Sequence, residues 1–271
     1  MQIEVEKEFL ISIDKPSVFV LILKPKKDYE ILGATCSEWV SDATKGFSSA
    51  VVEYDGSDIA TFAKKYTNDA SYIVVLSGAL PLLTSGAFSG LVDYCLFKNV
   101  NACKFWGGAV FNTKYLRTTN NVFYDSIYSQ NEEDFYVVEN ATQRNHAFEI
   151  LRNRIIEFHM QNGVDIKNCK NVVIEKYVDI EPNTTILGGN TLKGYTKIEK
   201  GVILKENNIV ADSRIGASSC VAESVIEGSD IGKDCIIMPY SHIEKCTLGN
   251  NVVVSGNTSL SGRKIKDNRK I

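Results

Sequence analysis

The segment Lys197-Ile-Glu-Lys-Gly-Val-Ile-Leu-Lys-Glu-Asn-Asn-Ile-Val210 places an aliphatic residue at every sixth position, at Ile198, Leu204 and Val210. The same register, with occasional steps of five, holds over sixteen positions: Ile174, Ile180, Ile186, Leu192, Ile198, Leu204, Val210, Ile215, Val221, Ile226, Ile231, Ile237, Ile243, Leu248, Val254 and Leu260. Neither an α-helix nor an alternating strand produces a period of six. The period indicates a left-handed parallel β-helix of hexapeptide repeats, because each hexapeptide supplies one side of a triangular coil.

The predicted β-helix occupies residues 164–262. Three hexapeptides make one coil, so the sixteen positions predict about five coils, which should stack at about the 4.8 Å spacing of paired strands. Each aliphatic side chain should point inward, where its burial stabilises the fold by roughly 1.5–3 kcal/mol. The segment Arg263-Lys-Ile-Lys-Asp-Asn-Arg-Lys270 is expected to form a basic, solvated tail at residues 263–271.

A linker helix is predicted directly before the β-helix, at residues 141–163. Asn140 is a favourable N-cap and Gly163 a favourable end, so the helix should run to about Met160. Its expected apolar stripe consists of Ala147, Phe148, Leu151, Ile155 and Phe158. The side chains expected mostly on the solvent side are Arg144, Arg152, Arg154 and Glu157. Such a helix would be a rigid spacer between two domains.

Residues 1–140 are predicted to form a small three-layer α/β domain, because strand and helix patterns alternate there. The predicted strands are Val18–Leu23, Ser49–Tyr54 and Tyr72–Leu76, and the predicted helices are Ser57–Tyr66 and Ser85–Phe97. The polar segment Thr119–Gln130 should be a loop. Ligands of such sheets bind at the carboxyl ends of the strands, which is where Leu76-Ser-Gly-Ala79 falls.

Composition limits the classes of partner. The 271 residues include 44% hydrophobic and 23% charged residues with a formal net charge of −3, which disfavours a nucleic-acid partner. No apolar run approaches the roughly 18–20 residues that span a bilayer, and Met1–Glu8 lacks the order of a signal peptide. Seven scattered cysteines without a Cys-x-x-Cys pair indicate free thiols in a reducing cytoplasm rather than a zinc site.

Four motifs resemble those of one enzyme family. His146-Ala-Phe-Glu-Ile-Leu-Arg-Asn-Arg-Ile-Ile-Glu-Phe-His-Met160, followed by Gln161-Asn-Gly-Val-Asp165, resembles the linker helix of the bifunctional N-acetylglucosamine-1-phosphate uridyltransferase/glucosamine-1-phosphate acetyltransferases. Asp234-Cys-Ile-Ile-Met-Pro-Tyr240 is similar to part of their β-helix, Leu76-Ser-Gly-Ala-Leu-Pro-Leu-Leu83 to their Leu-Ser-Gly-Asp-x-Pro-Leu-Leu motif, and Gly107-Gly-Ala-Val-Phe111 to a later strand. The resemblance implies a reduced nucleotidyltransferase-like domain at 1–140 and a homotrimer assembled through the β-helix.

The departures from the family's motifs concern the nucleotide site. The family's acidic magnesium ligand after Ser-Gly is here Ala79, whose methyl group cannot bind a metal, so no metal site is expected. Its glycine-rich phosphate loop is replaced by Lys24-Pro-Lys-Lys-Asp28, in which proline lacks an amide donor. The residues left as candidates for substrate binding are Lys24, Lys26, Lys27, Ser77, Gly78, Glu139 and Asn140. The alternative interpretations are a solvated turn for the lysines and a helix cap for Asn140.

The acetyltransferase site of the family requires a histidine in later coils. The three histidines here are His146 and His159 on the helix and His242, which precedes Ile243 and should point outward to the surface. The chain therefore reads as a degenerate, C-terminally truncated member, and its catalytic residues are unknown.

Two functional hypotheses remain from the sequence. The first is a homologue of sugar-1-phosphate nucleotidyltransferases with impaired or lost catalysis, which needs no cofactor and acts as a sugar-nucleotide or sugar-phosphate binder or as a trimeric regulatory or scaffold protein. The second is an active uridylyl- or acyltransferase that uses rearranged residues such as Glu139, Asp125 or His242, with Mg²⁺ required only in that case. A purely structural solenoid is disfavoured because an α/β domain and a linker helix are attached.

Overall fold

The computed structural model describes residues 17–67, 69–129 and 132–271. The predictions for Met1–Glu8 and for the last residue of Thr119–Gln130 lie outside the described residues. The chain divides into two compact units, the first formed by Met1–Asp28 with Ser37–Val137 and the second by Tyr29–Cys36 with Val138–Ile271. None of the helices in the described ranges has the length and apolar character needed to cross a membrane.

The elements of the N-terminal half are, in chain order, β1 (Val18–Leu23), β2 (Glu30–Ile31), β3 (Ala34–Thr35), α1 (Cys36–Ala43), β4 (Ser48–Val52), α2 (Ile59–Lys64), β5 (Tyr72–Ser77), α3 (Ser85–Lys98), β6 (Ala102–Phe105), β7 (Gly108–Asn112), α4 (Thr113–Thr118) and β8 (Ser126–Ile127). Apart from the β2–β3 hairpin, the strands form one sheet in the order β4-β1-β5-β7-β6-β8. Strand β1 is parallel to β4 and β5, whereas β7 is antiparallel to β5 and β6.

The central strands of this sheet are buried on both faces, as continuous apolar runs predict. Along β1, Val20 and Ile22 pack in the cluster that contains residues of α3, whereas Leu21 packs in the cluster that contains residues of α2. The first unit is therefore a small α/β domain, as predicted. The predicted strand Ser49–Tyr54 is Ser48–Val52 in the structure, and the predicted helix Ser57–Tyr66 is Ile59–Lys64.

The second unit begins with the β2–β3 hairpin and α5 (Ala141–Gln161), followed by a 3-10 turn at Cys169–Asn171. Its strands are β9 (Asp165–Ile166), β10 (Val173–Ile174), β11 (Asp179–Ile180), β12 (Thr185–Ile186), β13 (Thr191–Lys193), β14 (Lys197–Ile198), β15 (Ile203–Leu204), β16 (Ile209–Ala211), β17 (Arg214–Ile215), β18 (Cys220–Val221), β19 (Val225–Glu227), β20 (Asp230–Ile231), β21 (Ile236–Ile237), β22 (His242–Glu244), β23 (Thr247–Leu248), β24 (Val253–Val254), β25 (Ser259–Ser261) and β26 (Lys264–Ile265).

These strands form a parallel β-solenoid, consistent with the predicted left-handed β-helix of hexapeptide repeats. Face one contains β9-β12-β15-β18-β21-β24, face two β10-β13-β16-β19-β22-β25 and face three β11-β14-β17-β20-β23-β26. Each face has 6 strands, so the fully described range 132–271 contains six coils rather than about five. All sixteen predicted aliphatic positions are buried, which confirms the register.

The C-terminal segment differs from the predicted solvated tail. Lys264–Ile265 forms strand β26, which pairs in parallel with Thr247–Leu248. The backbone amide of Ile271 donates a hydrogen bond to the carbonyl of Val253 at 2.9 Å. The backbone of this segment therefore continues the solenoid, although most of its charged side chains are exposed.

The helix α5 is capped by Asn140, as predicted, because the Asn140 side chain accepts a hydrogen bond from the Gln143 amide. The prediction that Arg152 lies on the solvent side is wrong, since this residue is only 8% exposed. Its guanidinium donates to the carbonyls of Cys169 and Lys170, both at 2.9 Å, which satisfies a buried cation. Phe158, assigned to the apolar stripe, is instead 60% exposed.

One corner of the solenoid carries a ladder of buried polar side chains. The Asn208 side-chain amide donates to Asn190 Oδ1 at 2.9 Å, and Asn208 Oδ1 accepts from the Ser224 amide at 2.9 Å. The Ser224 hydroxyl in turn accepts from the Ser241 amide at 3.2 Å. Buried backbone amides that the sheets leave unpaired are thereby satisfied from coil to coil.

Candidate functional site

The carboxyl ends of β1 and β5 meet at the edge of the first unit's sheet, where the sequence predicts a ligand site. The Gly78 amide donates to the Leu23 carbonyl at 2.8 Å, and the Ser77 amide donates to the Gly107 carbonyl at 2.8 Å. The Ser77 hydroxyl accepts a hydrogen bond from the Ala79 amide at 3.2 Å. The structure therefore brings Ser77 and Gly78 together with the start of the lysine-rich segment, but the backbone amides of both residues are already bonded within the chain.

Gly78 packs closely against neighbouring segments of the first unit. A Cβ atom at Gly78 would lie 2.7 Å from the Leu23 carbonyl oxygen, 2.8 Å from Ser37 Oγ and 3.0 Å from Pro25 Cδ. Such distances are shorter than van der Waals contacts, so glycine is required here by close packing. The same packing occupies the space beside Gly78 with protein atoms.

The lysine-rich segment between β1 and α1 is exposed at Lys24, Lys26 and Lys27. Lys24 Nζ forms an ion pair with Glu53 Oε1 at 3.0 Å, and the hydrogen bond and charge of Glu53 raise the pKa of this lysine. Asp28 Oδ1 accepts from the Ser37 amide at 3.1 Å, which places a carboxylate at the beginning of α1. The region of these three lysines therefore also contains two carboxylates, those of Glu53 and Asp28.

Ala79 is buried, with 5% of its surface exposed. Its methyl group supplies none of the oxygen ligands that magnesium prefers. Within residues 17–67, 69–129 and 132–271, no group of three or more His, Cys, Asp or Glu side chains is placed to hold a metal ion. The residues present at this sheet edge do not fit the magnesium site that the resemblance implies.

Glu139 and Asn140 belong to the second unit and are exposed. Asn140 Oδ1 accepts from the Gln143 amide at 3.0 Å, and Gln143 Oε1 accepts from the Glu139 amide at 2.8 Å. This reciprocal arrangement satisfies amides that have no partner inside the first turn of α5. The geometry gives Asn140 a capping role.

Asp125 and His242, which the sequence analysis gives as candidate residues of an active transferase, lie in different units. In the first unit, Asp125 accepts hydrogen bonds from the amides of Asn101 and Ala102 at 2.9 and 3.3 Å, at the beginning of β6. In the second unit, His242 is exposed on face two, as its position before Ile243 predicts.

The outer surfaces of face one and face three differ in chemistry, a contrast that the sequence interpretation missed. On face one the outward residue before each inward aliphatic position is mostly apolar, and Ile203 and Ile236 are 44% and 45% exposed. On face three the equivalent residues are mostly charged. The outward residues of face three are Asp179, Lys197, Arg214, Asp230, Thr247 and Lys264. Every third hexapeptide belongs to the same face. Comparing the residues that precede the inward aliphatic positions of one face with those of another would therefore have distinguished the two faces from the sequence.

Ion pairs connect the charged residues of face three. Arg214 Nη1 lies 2.7 Å from Asp230 Oδ1, and Arg214 Nη2 lies 2.7 Å from Glu199 Oε1. Burial acts to raise the pKa of Glu199, but hydrogen bonds from Arg214 and from the Ala217 amide outweigh it and hold that pKa below its usual range. Face three is thus a solvated, internally neutralised surface.

Comparisons with known proteins identify one family model and several similar proteins. The family model "Bacterial transferase hexapeptide (six repeats)" matches residues 228–262. The chain is 35% identical over 144 residues to "Bifunctional protein GlmU" of Clostridium novyi (strain NT), an alignment that covers 51% of this chain and 32% of that protein. It is 33% identical over 139 residues to the protein of the same name from Clostridioides difficile (strain 630), covering 51% and 30%.

A third relative, "Bifunctional protein GlmU" of Streptococcus equi subsp. zooepidemicus, is 37% identical over 114 residues, which cover 40% of this chain and 25% of that protein. The alignments thus span about a third or less of these relatives. The predicted resemblance is confirmed over about half of the chain.

Proposed function

We propose that this chain, which contains a solenoid of hexapeptide repeats and is similar to GlmU proteins over about half of its length, is a homotrimeric scaffold or regulatory protein that does not transfer nucleotidyl groups. The observation that carries the proposal is the buried methyl group of Ala79 at the place where the resemblance implies a carboxylate. Without a carboxylate at position 79, a metal-bridged triphosphate loses the ligand that the resemblance implies.

The surroundings of Ala79 support the proposal independently. Phosphate cradles use backbone amides that point at the ligand and glycines that allow close approach. Here the Gly78 amide already donates to the Leu23 carbonyl, and Pro25 and Ser37 pack against Gly78. Lys24 is paired with Glu53 rather than free to receive an anion.

The trimer is supported by the surface chemistry of the solenoid. Hexapeptide β-helices commonly associate through their flat sides, and face one presents Ile203, Ile236 and Met238 as exposed apolar side chains. Burying such side chains against an equivalent copy stabilises an assembly by roughly 25 cal/mol per Å² of apolar surface removed from water. The charged face three has no comparable apolar surface, so we expect face one to form the contact.

The catalytic part of the proposal is tested by incubating the full chain with UTP, N-acetylglucosamine 1-phosphate and Mg²⁺ and measuring released pyrophosphate. We expect no release above a protein-free control. Replacing Ala79→Asp should restore no turnover, because the phosphate cradle is also missing. Turnover by the unaltered protein at about 1 s⁻¹ or faster, within the ordinary range of enzymes, would overturn the proposal.

A further inference from the structure

We propose that a cavity in the second unit binds a zwitterionic dipeptide with apolar side chains. The cavity has a volume of about 630 Å³ and lies among the β2–β3 hairpin, the first turns of α5 and strands β10 and β13 of face two. This volume is within the roughly 300–1,000 Å³ of small-molecule sites. None of the residues discussed at the sheet edge of the first unit lines the cavity, so a negative binding result here would leave the proposed function untouched.

The hairpin wall of the cavity is fixed by its turn. Leu32 and Gly33 both have positive φ angles, 51° and 75°, a combination that Gly33 tolerates but that is unfavourable for a leucine. The Leu32 carbonyl accepts a hydrogen bond from the Lys176 amide of the first coil at 3.0 Å, and the Leu32 side chain is buried. These contacts hold the turn against the solenoid and make the wall a preformed part of the second unit.

The solenoid wall carries a carboxylate and an ammonium group in neighbouring coils. Glu175 Oε2 accepts from the Gly194 amide at 2.8 Å, and a Cβ atom at Gly33 would lie 2.7 Å from the same oxygen. The Glu175 amide donates to the Leu192 carbonyl at 3.0 Å, which places Lys193 beside Glu175. The two opposite charges of this wall therefore offset each other, and one Glu175 oxygen is already bonded and covered by the hairpin.

The other two charges belong to the hairpin and to the helix. Glu30, on β2, is exposed. Arg144 Nε and Nη2 donate to Asn145 Oδ1 at 3.3 and 2.8 Å, which orients the guanidinium without neutralising it. Across residues 17–67, 69–129 and 132–271, neither Glu30 nor Arg144 forms an ion pair. One carboxylate and one guanidinium, each without a charged partner among these residues, therefore line the same cavity.

A ligand must carry both charges to satisfy this lining. A lone anion would pair with Arg144 but would face the carboxylates of Glu30 and Glu175, and a lone cation would face Arg144 and Lys193. A neutral ligand would displace water from four charged groups and offer them no opposite charge. A zwitterion supplies an ammonium group that donates to Glu30 and a carboxylate that accepts two parallel hydrogen bonds from the guanidinium.

The remaining lining favours a dipeptide over a free amino acid. Phe148 and Val173 are half-buried and line the cavity, so they offer apolar surface to the side chains of a ligand. A free amino acid has both charges on one carbon atom, whereas the ends of a dipeptide reach up to about 7 Å apart and can contact separate walls. The hydroxyl of Thr191, which also lines the cavity, can bond to the peptide group between those ends.

The proposal is tested by isothermal titration calorimetry of the full chain with three matched probes. Leucylphenylalanine carries both charges, its C-terminal amide lacks the carboxylate, and its N-acetyl derivative lacks the ammonium group. We expect saturable binding of leucylphenylalanine at one site per chain, at least tenfold tighter than the binding of either derivative. The derivatives keep both side chains, so this difference measures the contribution of each charge.

Two substitutions assign the charges to their partners. Arg144→Gln should make leucylphenylalanine bind no tighter than its amide, while the preference over the acetyl derivative remains. Glu30→Gln should make it bind no tighter than the acetyl derivative, while the preference over the amide remains. Lys200→Gln and Glu206→Gln remove the same charges from exposed residues that do not line the cavity, and they should leave all three affinities unchanged.

A general structural effect would weaken all three probes alike, and circular dichroism melting would confirm that each variant is folded. A wild-type affinity for leucylphenylalanine weaker than about 1 mM would overturn the proposal. So would equal affinities of the wild-type protein for the three probes, or unchanged preferences in folded Arg144→Gln and Glu30→Gln proteins.

Discussion

Replacing Asn208→Ala should destabilise the solenoid more than any exposed substitution, because this side chain joins three coils. Asn208 is fully buried, and its amide group contacts Asn190 Oδ1, the Lys205 carbonyl and the Ser224 amide at 2.8–2.9 Å. The Lys205 carbonyl also accepts from Asn190 Nδ2, so it keeps a partner in the variant. The Ser224 amide loses the Asn208 oxygen and becomes a buried donor without an acceptor.

The expected loss follows from these contacts. An unsatisfied buried backbone donor costs about 1–3 kcal/mol, and the other lost hydrogen bonds add about 1 kcal/mol. We therefore expect the free energy of unfolding to fall by about 3 kcal/mol and the melting temperature by roughly 6–12 °C. Asn208→Ser should lose less, since Ser224 already shows that a serine hydroxyl can occupy this corner and accept from the next coil.

The measurement is thermal and urea unfolding monitored by circular dichroism, with Lys205→Ala as the control, because that substitution removes an exposed side chain and keeps the carbonyl. The expected order of stability is wild type and the control, then the serine variant, then the alanine variant. An Asn208→Ala protein within about 0.5 kcal/mol of wild type, the usual range of surface substitutions, would refute the assigned role of the ladder.

Three other predictions address acid stability, assembly and the repeat register. Burial lowers the pKa of His159 from its ordinary 6.5, so the folded state favours the neutral imidazole. The stability that His159 contributes is therefore complete above about pH 6.5 and is lost as the pH falls through the lowered pKa of the folded state. His159→Leu should therefore narrow the difference in melting temperature between pH 7.5 and pH 5, and an undiminished difference in this variant would refute the role of His159. Native mass spectrometry should show the wild-type protein as a trimer of about 90 kDa, three chains of 30.1 kDa, and the Ile236→Lys variant of face one as monomers. The control His242→Lys, in the same coil, should remain trimeric. A trimer of unchanged mass in Ile236→Lys would exclude face one as the trimer contact. Ile198→Asp should abolish the cooperative melting of the solenoid, because it buries an unpaired carboxylate in the stack; wild-type melting would show that the side chain is not inward.

The β-helix was predictable from sequence because the fold imposes the same requirement on every sixth residue. The sixth coil was missed for two local reasons. Ile166 and Ile174 are separated by eight positions, since the 3-10 turn at Cys169–Asn171 interrupts the repeat. Ile265 continues the register but lies among charged residues, and only its backbone pairing with β23 reveals a strand.

Contacts between segments that are distant in the sequence explain the other differences between the predictions and the structure. Arg152 is charged and was assigned to solvent, yet carbonyl groups of Cys169 and Lys170 replace water around its guanidinium. The β2–β3 hairpin has strands of only 2 residues, too short for a periodic pattern. At the sheet edge, the sequence identifies Ala79 in place of an acid, but the packing of Pro25 and Ser37 against Gly78 becomes visible only in the folded chain.

The most direct test of the central claim is a calorimetric titration of the full chain with UTP in the presence of Mg²⁺. A methyl group at position 79 and a sheet edge filled by Pro25 and Ser37 predict no saturable heat at nucleotide concentrations up to the order of 1 mM. Stoichiometric binding of one Mg²⁺–UTP per chain, abolished when Mg²⁺ is chelated, would contradict the account.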